Sequence, residues 1–167
     1  MSDDTTNRLK LPLLSAGQAQ KELTHNEALT LIDMTVQPVV MAVEVNTPPP
    51  APVAGQCWIV GAAPAGAWSG QANALAGWTA GGWRFVAPPE GCAVWSVADG
   101  AAARFLDGGW STGVIRGARV EIDGTKVIGA RLAAIAGPAG GATVDAEART
   151  AIGAILAALR EHGLIAA

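Results

Sequence analysis

From residue 47 to residue 113 the chain carries all six of its tryptophans but only five charged side chains, Arg84, Glu90, Asp99, Arg104 and Asp107. Within 56–113 the only Leu and Ile residues are Ile59, Leu75 and Leu106. With so few large aliphatics, tryptophan must supply much of whatever area this stretch buries. Turn signals cut it into short pieces, at Gly81–Gly82, Pro88–Pro89–Glu90–Gly91, Asp99–Gly100 and Asp107–Gly108–Gly109. The runs between them, Gln56–Val60, Trp83–Val86, Ala93–Val97 and Ala103–Leu106, read as short strands. Such spacing predicts an antiparallel meander that curls into a small barrel or sandwich. Strand alternation puts Trp58, Trp83 and Trp95 in its core. Trp68 and Trp78 sit in loop-like sequence and stay open between core and ligand contact.

The same stretch is not a membrane span. Pro48, Pro49, Pro50, Pro52, Pro64, Gln56, Gln71 and Asn73 would leave backbone and amide groups unpaired in lipid. The opening residues MSDDTTNRLK hold no apolar core of a secretory signal. The whole chain has a net charge of -3, which gives no basic field for a phosphate backbone and excludes non-specific nucleic-acid binding. Cys57 and Cys92 stand apart, without a C-x-x-C pair, and read as buried thiols of a reducing compartment; whether they pair is left open.

The flanks differ from this centre. In 1–46, Ser15 precedes a helical stripe of Ala19, Leu23, Ala28, Leu29, Ile32 and Met34, with a break expected near Thr24–His25, where Thr24 and Glu27 suit a capping box. Gln37–Pro38 ends the helix, and VVMAVEV at 39–45 reads as a strand. The run TPPPAPVAG at 47–55 is a stiff polyproline-type connector. In 114–167 a hairpin is expected across Asp123–Gly124–Thr125, followed by a helix capped by Thr143 or Asp145 and closed at Gly163. Ala148, Ile152, Ile155, Leu156 and Leu159 form its apolar stripe, which suits self-association. The expected fold class is α+β, with N-terminal helices, a Trp-rich antiparallel β domain, a hairpin and a C-terminal amphipathic helix. The expected division is 1–46 as anchor, 47–55 as connector, 56–113 as β domain and 114–167 as hairpin and oligomerisation helix.

Little in the chain moves protons or holds metals. His25 lies between Glu22 and Glu27, and His162 lies in the last helical turn; both read as surface histidines. No G-x-S-x-G, H-E-x-x-H, G-x-G-x-x-G or G-x-x-x-x-G-K-[ST] motif occurs. Glu121 and Asp123 share a strand face, but a glycosidase needs a cleft lined by aromatics, and the hairpin has no Trp. The expectation is a protein that is not an enzyme and takes no cofactor and no metal. The tryptophans are the one chemical feature, since flat indole faces stack on sugar rings without needing charge. Trp68 and Trp78 are therefore the candidate contacts to a surface polysaccharide.

The stretch LPLLSAGQAQKELTHNEALTLID at 11–33 resembles the opening of a domain-of-unknown-function family of alphaproteobacterial prophages and gene transfer agents. The resemblance rests on Leu11–Pro12, Gln18–Ala19–Gln20–Lys21, Asn26–Glu27–Ala28–Leu29 and Asp33. The segment 66–91 resembles its Gly-x-Trp and Pro-x-x-Gly rhythm, and 127–165 is similar to C-terminal segments of phage tail and spike proteins. The resemblance implies a fibre, spike or tail-fibre component of a virion-like particle, with no catalytic residues defined.

Expected on this basis is a head spike or fibre base that joins a capsid or other particle protein at one end to a spike or fibre protein at the other. Its place is the particle surface, after assembly in the cytoplasm. The amide-rich lead segment, Gln18, Gln20, Lys21, Asn26 and Glu27, is the expected partner contact. Ile152, Ile155, Leu156 and Leu159 are the expected oligomer contact. Threefold order follows from the fibre-like tail and fivefold order from a capsid vertex, with threefold preferred.

Overall fold

A computed structural model describes residues 4–15, 17, 21–143 and 145–166. Helix α1 spans Lys21–Thr35, and nine strands follow: β1 (Val39–Val40), β2 (Cys57–Ile59), β3 (Leu75–Thr79), β4 (Gly82–Val86), β5 (Ala93–Ser96), β6 (Ala101–Leu106), β7 (Gly109–Thr112), β8 (Val120–Ile122) and β9 (Thr125–Ile128). Helix α2 spans Ala146–Glu161. The chain divides into two units, 1–114 and 115–167. The fold is α+β, and its strands form open sheets rather than a closed barrel.

In the first unit a three-stranded sheet runs in the order β2-β3-β4 and a four-stranded sheet in the order β1-β5-β6-β7. All neighbours are antiparallel except β1 and β5, which pair in parallel. The expected strand at 39–45 is split by its two tasks. Val39–Val40 pair with β5, whereas the Met41 amide donates to the Cys57 carbonyl (2.8 Å) and the Val45 amide to that of Ile59 (3.0 Å). Glu44, at φ 59°, makes the bend. The segment thereby ties one sheet to the other. Residues 1–46 and 56–113 share this unit, so the proline-rich run does not hold two bodies apart. Its backbone is fastened at both ends, where the Ala65 amide donates to the Asn46 carbonyl and the Gly55 amide to that of Trp78.

Two further expectations are corrected. Helix α1 shows no break at Thr24–His25, because no Gly or Pro interrupts 21–35 and both residues simply face solvent. LAGWT at 75–79 is not a loop but β3, the centre of its sheet. Its Gly and Ala residues carry no β propensity; pairing on both edges decides it. Strand β7 likewise follows a tight two-residue turn, in which Asp107 (φ 55°) and Gly108 (φ 78°) both take the left-handed region that such hairpins need.

Sheet β2-β3-β4 is covered on both faces. On one, Cys57, Ile59 and Leu75 pack with Met34 of α1, Val40, Val94 and Ala103. A Cβ on Gly77 would lie 2.6 Å from Met34 Cε, so glycine lets the helix approach β3. On the other face Trp58, Val60, Trp68 and Ala76 form a second cluster, against which Trp78, Trp83 and Phe85 pack. Trp68 is 0% exposed, and its ring centroid lies 5.1 Å from that of Trp83 and 6.4 Å from that of Trp58. Trp78 packs edge-on against Trp83 at 4.9 Å.

Trp95 stands outside the core, at 49% exposure. It does share a face with Ala93 and Val97, but Val94 and Ser96 are the residues turned inward on β5. Alternation is the same whichever face is covered, so the pattern alone could not choose. Trp95→Ala is therefore expected to change unit stability by less than about 1 kcal/mol in urea unfolding, as for other surface positions.

The second unit consists of the β8–β9 hairpin, a segment at 131–135 and α2. Asp123 (φ 48°) and Gly124 (φ 73°) form its hairpin turn. Asp145 caps α2 by accepting from the Ala148 amide at 2.8 Å. Gly163 (φ 69°) closes it, and the Leu164 amide donates back to the Leu159 carbonyl. Leu132 bridges in parallel to Ile165.

Candidate functional site

The most strongly built feature outside the core is the clasp between the N-terminal turn and helix α1. Asp33, buried in the last helical turn, accepts from Thr6 Oγ1 (2.8 Å) and from the backbone amides of Arg8 (3.0 Å) and Leu9 (2.6 Å). The Arg8 guanidinium reaches the other way, donating to the Asp33 carbonyl and, at 2.7 Å, to that of Gln37. It thereby satisfies the Asp33 carbonyl, which the helix end leaves without an intrahelical partner, and fastens the chain just beyond α1 at Gln37. The Asn26 side chain does the same for Leu14, accepting from its amide and donating to its carbonyl, both at 2.9 Å. Glu27 ties the helix to the sheet, receiving Arg84 Nε of β4 at 2.7 Å.

Of the expected partner contacts, Asn26 and Glu27 thus have their polar atoms engaged inside the chain, and Lys21 is exposed. Gln18 and Gln20 lie outside the described residues. Between turn, helix and the β3–β4 hairpin runs a cleft of about 340 Å³, lined by Arg8, Glu27, Asp33, Trp78, Thr79 and Arg84 among others. Several of its polar groups are partnered within the chain: Thr30 Oγ1 donates to the Asn26 carbonyl, Thr79 Oγ1 to that of Gly82, and Arg84 Nη1 to those of Gly81 and Trp83. The cleft follows the seam between the turn, α1 and the β3–β4 hairpin.

Cys57 borders this cleft, and burial, opposed by Arg8 and assisted by Asp33, pushes its thiol up to about 11. Burial also raises Cys92. Both are free thiols, and at neutral pH neither is an activated nucleophile. Folding favours the protonated thiol, so the contribution of Cys57 is fully present below pH 9 and is lost as pH rises towards 11. Urea midpoints taken from pH 8 to 11 are expected to show wild type losing about 2–3 kcal/mol relative to Cys57→Ala over that window.

Trp68 has no face open to a sugar, which removes it as a stacking residue; Trp78 is half-buried. The exposed indole is that of Trp95, paired across the sheet with Val39 on one side and Ala102 on the other. Small Ala102 leaves that side of the ring uncrowded. Val39 and Val97, 42% and 51% exposed, extend an apolar surface around it. No local signal finds it, since the covered face of β5 carries Val94 and Ser96 whereas the more apolar face of Ala93, Trp95 and Val97 is turned out.

In the second unit Ile152 and Ile155 are exposed, Leu159 is half-buried and Leu156 is buried within the chain. Glu121 pairs with Arg119 at 2.7 Å, and Asp123 sits in the turn rather than on the strand. His25 and His162 are exposed. Among the described residues no group of three His, Cys, Asp or Glu is placed to hold a metal ion, and no helix is long and apolar enough to cross a membrane.

A family model described as a protein of unknown function, DUF2793, matches residues 25–111, just over half of the chain. The chain belongs to the DUF2793 family. No curated protein matches it. The DUF2793 match runs from His25 in α1 to Ser111 in β7 and so takes in both sheets of the first unit. Asn26, Glu27, Asp33, Arg84 and five of the core-forming strands' pairings fall inside it, whereas Thr6 and Arg8, which complete the clasp, precede it.

Proposed function

We propose that this DUF2793 protein is a structural component of a virion-like particle, a head spike or fibre base that attaches a spike or fibre to a prophage or gene transfer agent particle and assists host-cell attachment. Two lines support the reading. One is the resemblance of 11–33 and 66–91 to a domain-of-unknown-function family of prophages and gene transfer agents, and of 127–165 to C-terminal segments of phage tail and spike proteins. The other, which carries it physically, is the large apolar surface left in solvent: Val39, Trp95 and Val97 on the first unit, and Ile115, Ile122, Leu132 and Ile155 among others on the second. Val39 and Trp95 adjoin across β1 and β5, with Val97 on the same face of β5, and such grouped apolar exposure marks a surface that another molecule covers. In this reading the first unit docks on a capsid or other particle protein, and the C-terminal segment joins sister copies or a fibre. The chain works by adhesion, as a non-enzyme without cofactor, at the particle surface.

The test is to purify particles from a producing strain and from one lacking the gene. The chain is expected in wild-type particles at fixed stoichiometry, with spikes missing from the deletion strain. Particles that lack the chain, or that keep their spikes without it, would overturn the reading.

Exposed Trp95 also favours a second function, recognition of a surface polysaccharide, with half-buried Trp78 as a further contact. Glycan-array binding that falls at least tenfold in Trp95→Ala, while urea stability holds, is the expected result. Binding that is absent, or indifferent to both Trp78→Ala and Trp95→Ala, removes this function.

A further inference from the structure

We propose that residues 115–166 fold only within a threefold assembly of this chain, with the α2 face bearing Ile152, Ile155 and Leu159 as its seam. This deepens the oligomeric part of the reading above and rests on it. The first ground is that the unit does not bury enough of itself. Every residue of β8 and β9 is exposed, and among the described residues the unit buries only Leu156 and Ile165. A lone two-stranded hairpin and a lone 16-residue helix are each marginal in water.

The second ground is the amount of apolar surface waiting to be covered. Ten Ile, Val and Leu residues of this unit are 42% to 96% exposed, from Leu164 and Ile152 at the low end to Ile115 at the top. At the area implied by the transfer energy of such side chains, they leave on the order of 500 Å² of apolar surface per copy. A stable interface buries about 800 Å² per partner, of which roughly two thirds is apolar in homo-oligomers. Each copy in a ring of three gives one such patch to each of two neighbours, so this area supplies about half of the apolar surface the assembly covers, and the rest is shared with the polar rim.

The third ground selects sister copies and their number. Ala148, Ile152, Ile155 and Leu159 of α2 are spaced 4-3-4, the a and d positions of a heptad. At its centre Ile152 and Ile155 place isoleucine at one a and one d position, the choice that favours three or more strands over two. Charge does not oppose close approach. The unit has six basic and five acidic side chains, a net +1, and several of its arginines are turned onto their own backbone. Arg131 Nε donates to the Ile165 carbonyl (3.0 Å), Arg160 Nη2 to that of Ile135 (2.6 Å) and Arg149 to those of Pro138 and Gly140. The helix supplies only about two heptads, so hairpin residues such as Ile122 and Val127 close the assembly alongside it.

The experiment is sedimentation of the full chain over a wide concentration range, with hydrogen exchange resolved by segment. A mass of three chains is expected at high concentration. On dilution, amides of 115–166 should lose protection together with the trimer, while those of the first unit stay protected. Ile152→Asp with Ile155→Asp should yield a monomer whose 115–166 amides exchange at least 100-fold faster, with first-unit exchange unchanged as the folding control. Ile155→Leu should remain assembled. A monomer at every concentration overturns the inference, whether 115–166 is protected within the chain or unprotected throughout. So does a mass of two or four chains, or an assembly indifferent to the double substitution. A trimer missing from purified particles would leave this inference standing and overturn the attachment reading; particles carrying single copies would do the reverse.

Discussion

Trp68→Ala is expected to destabilise the first unit by about 3–5 kcal/mol, the range for removing a large aromatic from a closed core. Trp68 is fully buried and sits between Trp58 and Trp83, so no neighbour can follow it into the space without giving up its own ring contact. A loss of that size is a large part of the roughly 5–15 kcal/mol that holds a domain together. The urea midpoint should fall by more than 1 M at ordinary slopes of about 1–3 kcal/mol per M. Trp68→Phe should cost less than half as much. It keeps a ring in the cluster and deletes an indole N–H that has no acceptor among the described residues. A Trp68→Ala cost below about 1 kcal/mol would show that the second cluster does not hold the sheet.

Asp33→Ala is expected to cost about 2–4 kcal/mol and to release the N-terminal turn from helix α1. The substitution leaves Thr6 Oγ1 and the amides of Arg8 and Leu9 without their acceptor, and hydrogen bonds to a carboxylate are worth more than neutral ones. Asp33→Asn keeps one acceptor oxygen and should fall between wild type and Ala. Limited proteolysis separates the local effect from the global one. Cleavage within 4–14 should accelerate in Asp33→Ala well before the core exchanges its amides. Equal protection of that segment in wild type and Asp33→Ala would mean that the clasp is held by Arg8 and Asn26 without the carboxylate.

These two residues mark how far the linear pattern reaches. Asp33 belongs to a motif that stands out in the sequence, yet nothing in its spacing says that the carboxylate receives a turn 24 to 27 residues earlier in the chain. Asn26 and Glu27 stand out in the same way, and their partners, Leu14 and Arg84, are likewise found only once the chain has folded back. A side-chain type announces that a polar group needs a partner; it does not announce whether the partner belongs to the same chain. The surroundings of Trp68, open between core and ligand in the sequence, and of Trp95, expected in the core, were settled by tertiary contacts of the same kind. Loop-like neighbours around Trp68 leave its surroundings open, and a short 3₁₀ turn at Gly66–Trp68 directs the ring onto sheet β2-β3-β4. Strand alternation around Trp95 was correct and still silent about which face of β5 is covered.

What local chemistry alone determined is considerable. The α+β class, the turns at Asp107–Gly108 and Asp123–Gly124, a cap at Thr143 or Asp145, the Gly163 stop and the dependence of a charge-poor body on tryptophan all follow from interactions within a few residues, where φ preferences and capping groups act without the rest of the chain. Tertiary structure alone decided that β3 is a central strand, that 39–45 serves two sheets, that the lead segment is clasped to α1, and which indoles are inside. Those outcomes depend on which surfaces meet, and burial is a property of two surfaces together, whereas periodicity describes only one.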